Sequence, residues 1–170
     1  MKKTTNLVWG GRFEYDSSDI LKRINNSISF DYNLAHQDIK LNKQYAKSLF
    51  KAKILSVNEL KKINVALDDI HLEVKKKKFK FSDDYEDIHM NIEMALRKRV
   101  GRLAGKLHTG KSRNDQVATD VKLWTKEKIK NVIDKIKKIQ KTIIKKSESN
   151  LNVIMPGFTH SQNAQPILYS

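Results

Sequence analysis

The sequence predicts an all-α protein: an N-terminal helical domain leading into a long-helix bundle that is truncated after its first helix. Three observations carry this. Glycine and proline number 6 and 2 among 170 residues, so turns are few and long helices are favoured over many short strands. Apolar residues recur at three- and four-residue intervals in several segments. No Gly or Pro interrupts the chain from Asn114 to Met155.

Residues 1–16 read as irregular, with Trp9-Gly10-Gly11-Arg12-Phe13 as a compact turn. A short helix is expected over Ser18–Ile24, broken by Asn25-Asn26-Ser27. Asp31 is placed to cap a helix running to about Ala52, whose apolar face is Leu34, Leu41, Tyr45, Leu49 and the neighbouring Phe50. Ser56-Val57-Asn58-Glu59 has the form of a capping box. It opens a helix with the stripe Leu60, Ile63, Leu67, Ile70 and Val74, ended by the run Lys75–Lys78. A further helix is expected over Asp84–Val100, with Ile88, Ile92 and Leu96 inward and Gly101 as its stop. Residues 101–113 read as a loop.

From Asn114 to about Asn150, the series Val117, Val121, Trp124, Ile129, Val132, Ile136, Ile139 and Ile143 reads as one helix. At 1.5 Å per residue it is ~55 Å long. So long a helix needs partners from a bundle or coiled coil. The dozen or so residues after the next turn cannot supply them, so the sequence is expected to be incomplete or to assemble.

Composition excludes several classes. Hydrophobic residues make up 39% and charged residues 31%, a globular balance. There are no cysteines, so disulfides and thiolate metal sites are ruled out. The segment Met1–Gly11 lacks the apolar run of a signal peptide. No stretch approaches the ~20 apolar residues of a membrane span. The net charge of +15 invites a nucleic-acid reading. Its lysines, however, sit between periodic Ile, Leu and Val along Lys135–Lys146, as on a solvated helix face, and no nucleic-acid motif accompanies them.

Arginine is used differently. Five of the six, Arg12, Arg97, Arg99, Arg102 and Arg113, lie in or beside polar segments, where a planar fork can bind carboxylates bidentately. His108-Thr109-Gly110-Lys111-Ser112-Arg113-Asn114-Asp115-Gln116 opens the long helix. Its free N–H groups and dipole attract anions, and Ser112, Arg113 and Asn114 can donate to carboxylate oxygens. An ordinary capping turn on Ser112 or Asn114 accounts for the same residues. Met155-Pro156-Gly157-Phe158-Thr159-His160-Ser161-Gln162 is read as the turn that ends the long helix. Thr159 and His160 there present a hydroxyl and an imidazole, suited to proton transfer or to a structural role. His89 and Glu93, four residues apart, fit a site or a surface pair. His36 and His71 read as ordinary helix residues. No clustered carboxylates or His-Glu-x-x-His pattern is visible, so no metal is implied.

The segments Leu7-Val8-Trp9-Gly10-Gly11-Arg12-Phe13, Asn26–Asp31 and Asp87-Ile88-His89 with Glu93 resemble successive blocks of the argininosuccinate lyase family. Gly110-Lys111-Ser112-Arg113-Asn114-Asp115-Gln116-Val117-Ala118-Thr119-Asp120 is similar to that family's first signature. Met155–His160 with Gln162 and Ala164-Gln165-Pro166-Ile167 is similar to the second. The Ser-Arg-Asn-Asp-Gln run distinguishes this family from fumarases, aspartases and adenylosuccinate lyases. The resemblance runs from residue 7 to residue 167.

The resemblance implies a cytoplasmic enzyme of arginine biosynthesis that splits argininosuccinate into arginine and fumarate by β-elimination. No cofactor or metal is implied, nor a nucleic-acid or membrane partner. Ser27, Arg113, Asn114 and Thr159 are expected to bind substrate, with Arg113 as a carboxylate clamp. His160 is expected in acid–base chemistry and His89 near the site. The family forms homotetramers whose active sites draw on three subunits. Residues 1–112 would form the N-terminal domain and 113–170 the start of the central bundle. Ser161 and Asn163 replace the family's usual leucine and arginine. The third signature, a Gly-Ser-Ser loop with the catalytic serine, has no counterpart, so the isolated chain is expected to have little activity. Alternatives are another fumarate-releasing lyase or a non-catalytic structural relative.

Overall fold

The computed structural model describes residues 19–170, except for the side chain of Asp19. The Trp9–Phe13 turn, with Arg12, lies outside the described residues. The chain divides into two compact units, Met1–Trp124 and Thr125–Ser170.

In the first unit, α1 is Asp19–Asn25 and α2 is Ile28–Asp31, followed by a 3₁₀ turn at Tyr32–Leu34. Helices α3 (Ala35–Lys51), α4 (Val57–Lys75) and α5 (Ile88–Val100) follow, then a 3₁₀ stretch over Gly101–His108. Helix α6 is Arg113–Glu148, and its first three turns, to Trp124, belong to this unit. The core joins Ile39 and Leu49 of α3, Ile63, Leu67 and Ile70 of α4, and Ile88, Ile92 and Leu96 of α5. Each such side chain contributes about 1.5–3 kcal/mol by leaving water.

The all-helical reading holds, with corrections in detail. Asp31 does not cap α3. Its carboxylate instead accepts the Ile88 backbone N–H at the start of α5, at 3.2 and 3.3 Å. The buried residues of α3 are Ala35, Gln37, Asp38, Ile39, Asn42, Ala46 and Leu49, whereas Phe50 is exposed. The expected stripe was therefore rotated, because three polar residues occupy core positions. Helix α5 starts at Ile88 rather than Asp84. Asp87 caps it by accepting the Met90 N–H at 2.6 Å. The capping box of α4 is present: Ser56 Oγ accepts from Glu59 N and Glu59 Oε2 from Ser56 N. Lys106, 2.6 Å from Glu59, and the Ser56 backbone hold the Glu59 carboxyl down to about 2.

Helices α3 and α4 both end in Schellman motifs built without glycine. After α3, Ile54 N–H reaches the Leu49 carbonyl and Lys53 N–H the Phe50 carbonyl. After α4, Lys78 N–H reaches Glu73 and Lys77 N–H reaches Val74. Lys53 (φ +60°) and Lys77 (φ +56°) hold the left-handed position where glycine is normally used.

The second unit contains the rest of α6 and an antiparallel hairpin, β1 (Ile154–Thr159) with β2 (Gln162–Leu168). Sequence reading missed the hairpin and took Pro156-Gly157 as the helix terminator. The helix stops at Glu148, before either residue. Pro156 faces Pro166 across the ladder. A Cβ on Gly157 would lie 2.8 Å from the Gln165 carbonyl oxygen, so glycine is required there. Thr159 pairs with Gln162, leaving His160 (φ +49°) and Ser161 (φ +62°) as a two-residue turn. Two positive φ values are the mark of a type I′ turn. Among the described residues, no helix is long and apolar enough to cross a membrane.

Replacing Lys53 or Lys77 by glycine removes the Cβ clash of the left-handed conformation. Each change is expected to stabilise the fold by about 0.5–1 kcal/mol, read as a higher urea midpoint with an unchanged m-value.

Candidate functional site

Helices α3, α5 and α6 each bring polar side chains into the interior of the first unit. On α3, Asp38 and Asn42 share a face one turn apart. On α6, Gln116 and Asp120 do the same. Asp38 and Asp120 are each 0% exposed and His89 on α5 is 3% exposed, values that charged residues rarely reach unless paired. Asp38 is the hub. Its Oδ1 lies 2.8 Å from His89 Nδ1 and accepts from Gln116 Nε2. Its Oδ2 accepts from Asn42 Nδ2 at 2.9 Å. Asp120 Oδ2 stands 3.4 Å from His89 Nδ1.

Burial alone would raise the Asp38 carboxyl. The hydrogen bonds and charge of His89, with the Gln116 amide, more than offset it and hold Asp38 below the usual carboxylate range. Asp120 moves the other way. Burial and the neighbouring Asp38 charge push it up to about 9. With Asp38 as the acceptor, this bond requires a proton on His89 Nδ1.

A second layer surrounds this hub. Lys111 Nζ donates to Asn42 Oδ1 at 2.7 Å and lies 5.4 Å from the centre of the Tyr45 ring. Tyr45 Oη donates to the Thr109 carbonyl at 2.7 Å, fixing the turn before α6. Burial lowers the Lys111 ammonium, partly countered by Asp38. Arg113 Nη1 donates to Gln116 Oε1 at 3.2 Å. Its guanidinium also lies 3.5 Å from Glu93 and 3.8 Å from Asp87. Glu93 Oε2 is 2.6 Å from His108 Nε2. A cleft of about 10 Å³ opens among Asn42, His89, Glu93, His108, Lys111, Arg113 and Gln116. That is room for about one water.

Of the residues singled out from sequence, Ser27, His89, Arg113 and Asn114 lie in the first unit. Ser27 Oγ donates to Asp31 at 2.6 Å, and Asp31 in turn accepts the backbone N–H of Ile88, next to His89. The Arg113 fork is engaged by carboxylates of the chain itself. Asn114 is exposed, and its N–H donates to Ser112 Oγ at 3.2 Å, so Ser112 is the cap. Thr159 and His160 belong to the hairpin of the second unit and are exposed. Thr159 Oγ1 is 2.9 Å from His160 Nδ1.

Two sequence readings are corrected. His89 and Glu93 are not a surface pair, because His89 is buried against Asp38 while Glu93 binds His108 and Arg113. Clustered acidic groups are present: Asp38, His89 and Asp120 have ligand-type atoms within 4.8 Å of one another. A metal there would have to displace the His89, Gln116 and Asn42 hydrogen bonds to Asp38. Asp38 and Asn42 were not singled out from sequence, and Gln116 and Asp120 stood in the family motif without an assigned role. The available signal was polar residues at helical spacing beside apolar ones, such as Asp38 between Ala35 and Ile39. On α6 the expected apolar stripe is largely exposed, as a helix that needs partners from a bundle leaves it. Val117 and Val121 are exposed, while Gln116 and Asp120 are buried.

Residues 11–170 match a protein family described as lyase, and the chain belongs to that family. Within it, the chain is 48% identical over 163 residues to a protein of Ehrlichia ruminantium (strain Welgevonden) named argininosuccinate lyase, covering 96% of the chain and 35% of that relative. The protein of that name from Ehrlichia canis (strain Jake) is 51% identical over 162 residues, covering 95% and 34%. That from Bacillus anthracis (strain A0248) is 44% identical over 163 residues, covering 96% and 35%. The chain therefore spans about a third of the length of the curated relatives it matches.

Glu93 anchors both Arg113 and His108. Burial raises its carboxyl, but His108, Arg113 and Lys111 outweigh burial and hold it below its ordinary value of 4.5. A lowered folded pKa contributes stability above the unfolded value and loses it as pH falls. Glu93→Gln is accordingly expected to cost about 1–3 kcal/mol at pH about 7 and much less at pH about 3, measured by urea unfolding at both.

Proposed function

We propose that the chain is the N-terminal portion of an argininosuccinate lyase that releases fumarate and arginine from argininosuccinate. The observation that carries this reading is 44–51% identity, across 95–96% of the chain, to proteins of that name. Residues 1–112 are the N-terminal domain and 113–170 the start of the central bundle. The full-length protein is a cytoplasmic homotetramer working without a cofactor.

In this β-elimination a base removes the proton beside a substrate carboxylate. The electron pair spreads onto that carboxylate, the C–N bond breaks, and the departing nitrogen takes up a proton. The difficulty is the developing negative charge, which preorganised donors stabilise best where water is excluded. Arg113 and Asn114 at the start of α6 are suited to hold substrate carboxylates, supported by the N–H groups of the helix terminus. Binding requires substrate to replace the carboxylates of Glu93 and Asp87 beside Arg113. Ser27 and Thr159 contribute hydroxyl contacts, and His89 lies near the site. His160 serves in acid–base chemistry, its Nδ1 within reach of the Thr159 hydroxyl.

The test combines the purified chain with the remaining portion of a related lyase and follows fumarate release by absorbance. Argininosuccinate is expected to be cleaved, and adenylosuccinate and aspartate are not. His160→Asn and Asn114→Ala are each expected to reduce turnover by at least ~100-fold. An assembled mixture without argininosuccinate cleavage would refute the proposal.

A further inference from the structure

Asp120 stands apart from the bonds that hold the cleft residues together. Its side chain is fully enclosed, neither oxygen has a hydrogen-bond partner among the described residues, and one of them lies within 4.8 Å of a carboxylate oxygen of Asp38. An ionised carboxylate in that position would place a second negative charge against Asp38. The charged and titratable groups that face it are Asp38 from α3, His89 from α5 and Lys111 from the turn before α6. Neither nitrogen group is at its disposal: His89 Nδ1 lies closer to Asp38, and the Lys111 ammonium donates to Asn42. Two carboxyls enclosed side by side do not both ionise near neutral pH.

We propose that Asp120 is a proton-bearing positioning residue whose carboxylic acid donates its O–H to Asp38. The pair then carries one negative charge instead of two. That charge accepts from His89, Gln116 and Asn42 together, and so sets where three side chains of the cleft wall stand. Through Asn42 it reaches Lys111, and through Gln116 it reaches Arg113. The upward displacement of Asp120, from burial and the neighbouring Asp38 charge, agrees with this arrangement.

The sign of the pH dependence follows. A folded pKa raised from 3.8 to about 9 contributes stability that is complete below the unfolded value and is lost as pH rises through the folded one. Asp120→Asn keeps a donor toward Asp38 and cannot ionise. Relative to the unchanged chain, its folding constant is expected to rise close to tenfold per pH unit between about pH 5 and about pH 8. A ratio that stays flat across this range would overturn the proposal. Asp120→Ala, which has no donor, is expected to unfold at lower urea than Asp120→Asn at about pH 7. Equal loss in both variants would count against a donor role. Should the variants fail to fold, the carboxyl carbon resonance of Asp120 in the unchanged chain decides. An acid-form shift at about pH 7 supports the proposal and a carboxylate shift refutes it. Stoichiometric Zn²⁺ uptake with proton release from Asp120 would also refute it, by showing a metal site in place of a shared proton.

Discussion

The first unit depends on keeping one negative charge, that of Asp38, where no water reaches it. Burying an isolated carboxylate costs several kcal/mol even after relaxation, so its oxygens need donors of good geometry. His89, Gln116 and Asn42 provide them. Since these donors come from α5, α6 and α3 itself, one charge ties three helices in register. Apolar packing holds the helices together, and the polar hub sets how they are rotated. That is why α3 turns Asp38 and Asn42 inward and leaves Phe50 exposed.

The same requirement links fold to site. The donors to Asp38 form one wall of the cleft. Glu93 forms another by holding His108 and standing 3.5 Å from the Arg113 guanidinium. The family motif at the start of α6 therefore has two kinds of residue. Arg113 and Asn114 stand at the helix terminus, Arg113 already beside Glu93 and Asp87, whereas Gln116 and Asp120 are buried one and two turns further in. Preorganisation of this kind lets fixed donors stabilise developing charge without reorienting during reaction.

Much of this was legible in the sequence. The α4 stripe and its capping box, the Gly101 stop and the uninterrupted α6 follow from spacing and turn chemistry, and the structure has them. The family motifs point to Arg113, Asn114 and His160 as expected site residues, and the structure places Arg113 and Asn114 at the start of α6. The polar hub was not legible, because a periodicity search weights apolar residues and treats Asp38 or Asp120 as solvent-facing. Their burial follows from partners 51 and 78 residues away along the chain for Asp38, which no local pattern encodes. The hairpin was missed for a related reason. Its turn uses His160-Ser161 in place of the usual Asn-Gly, and Pro156 and Gly157 resemble a helix terminator. The Schellman turns at Lys53 and Lys77 likewise lack their ordinary glycine signal.

The central claim is that the Asp38 charge orients the residues around it, and the imidazole of His89 reports on it most directly. Nitrogen-15 NMR of the histidine ring nitrogens at about pH 7 distinguishes the tautomers. A proton on Nδ1 of His89, which disappears from that position in Asp38→Ala, is the result the account predicts. An Nδ1 without a proton in the unchanged chain would contradict it, because Asp38 would then face a lone pair instead of a donor.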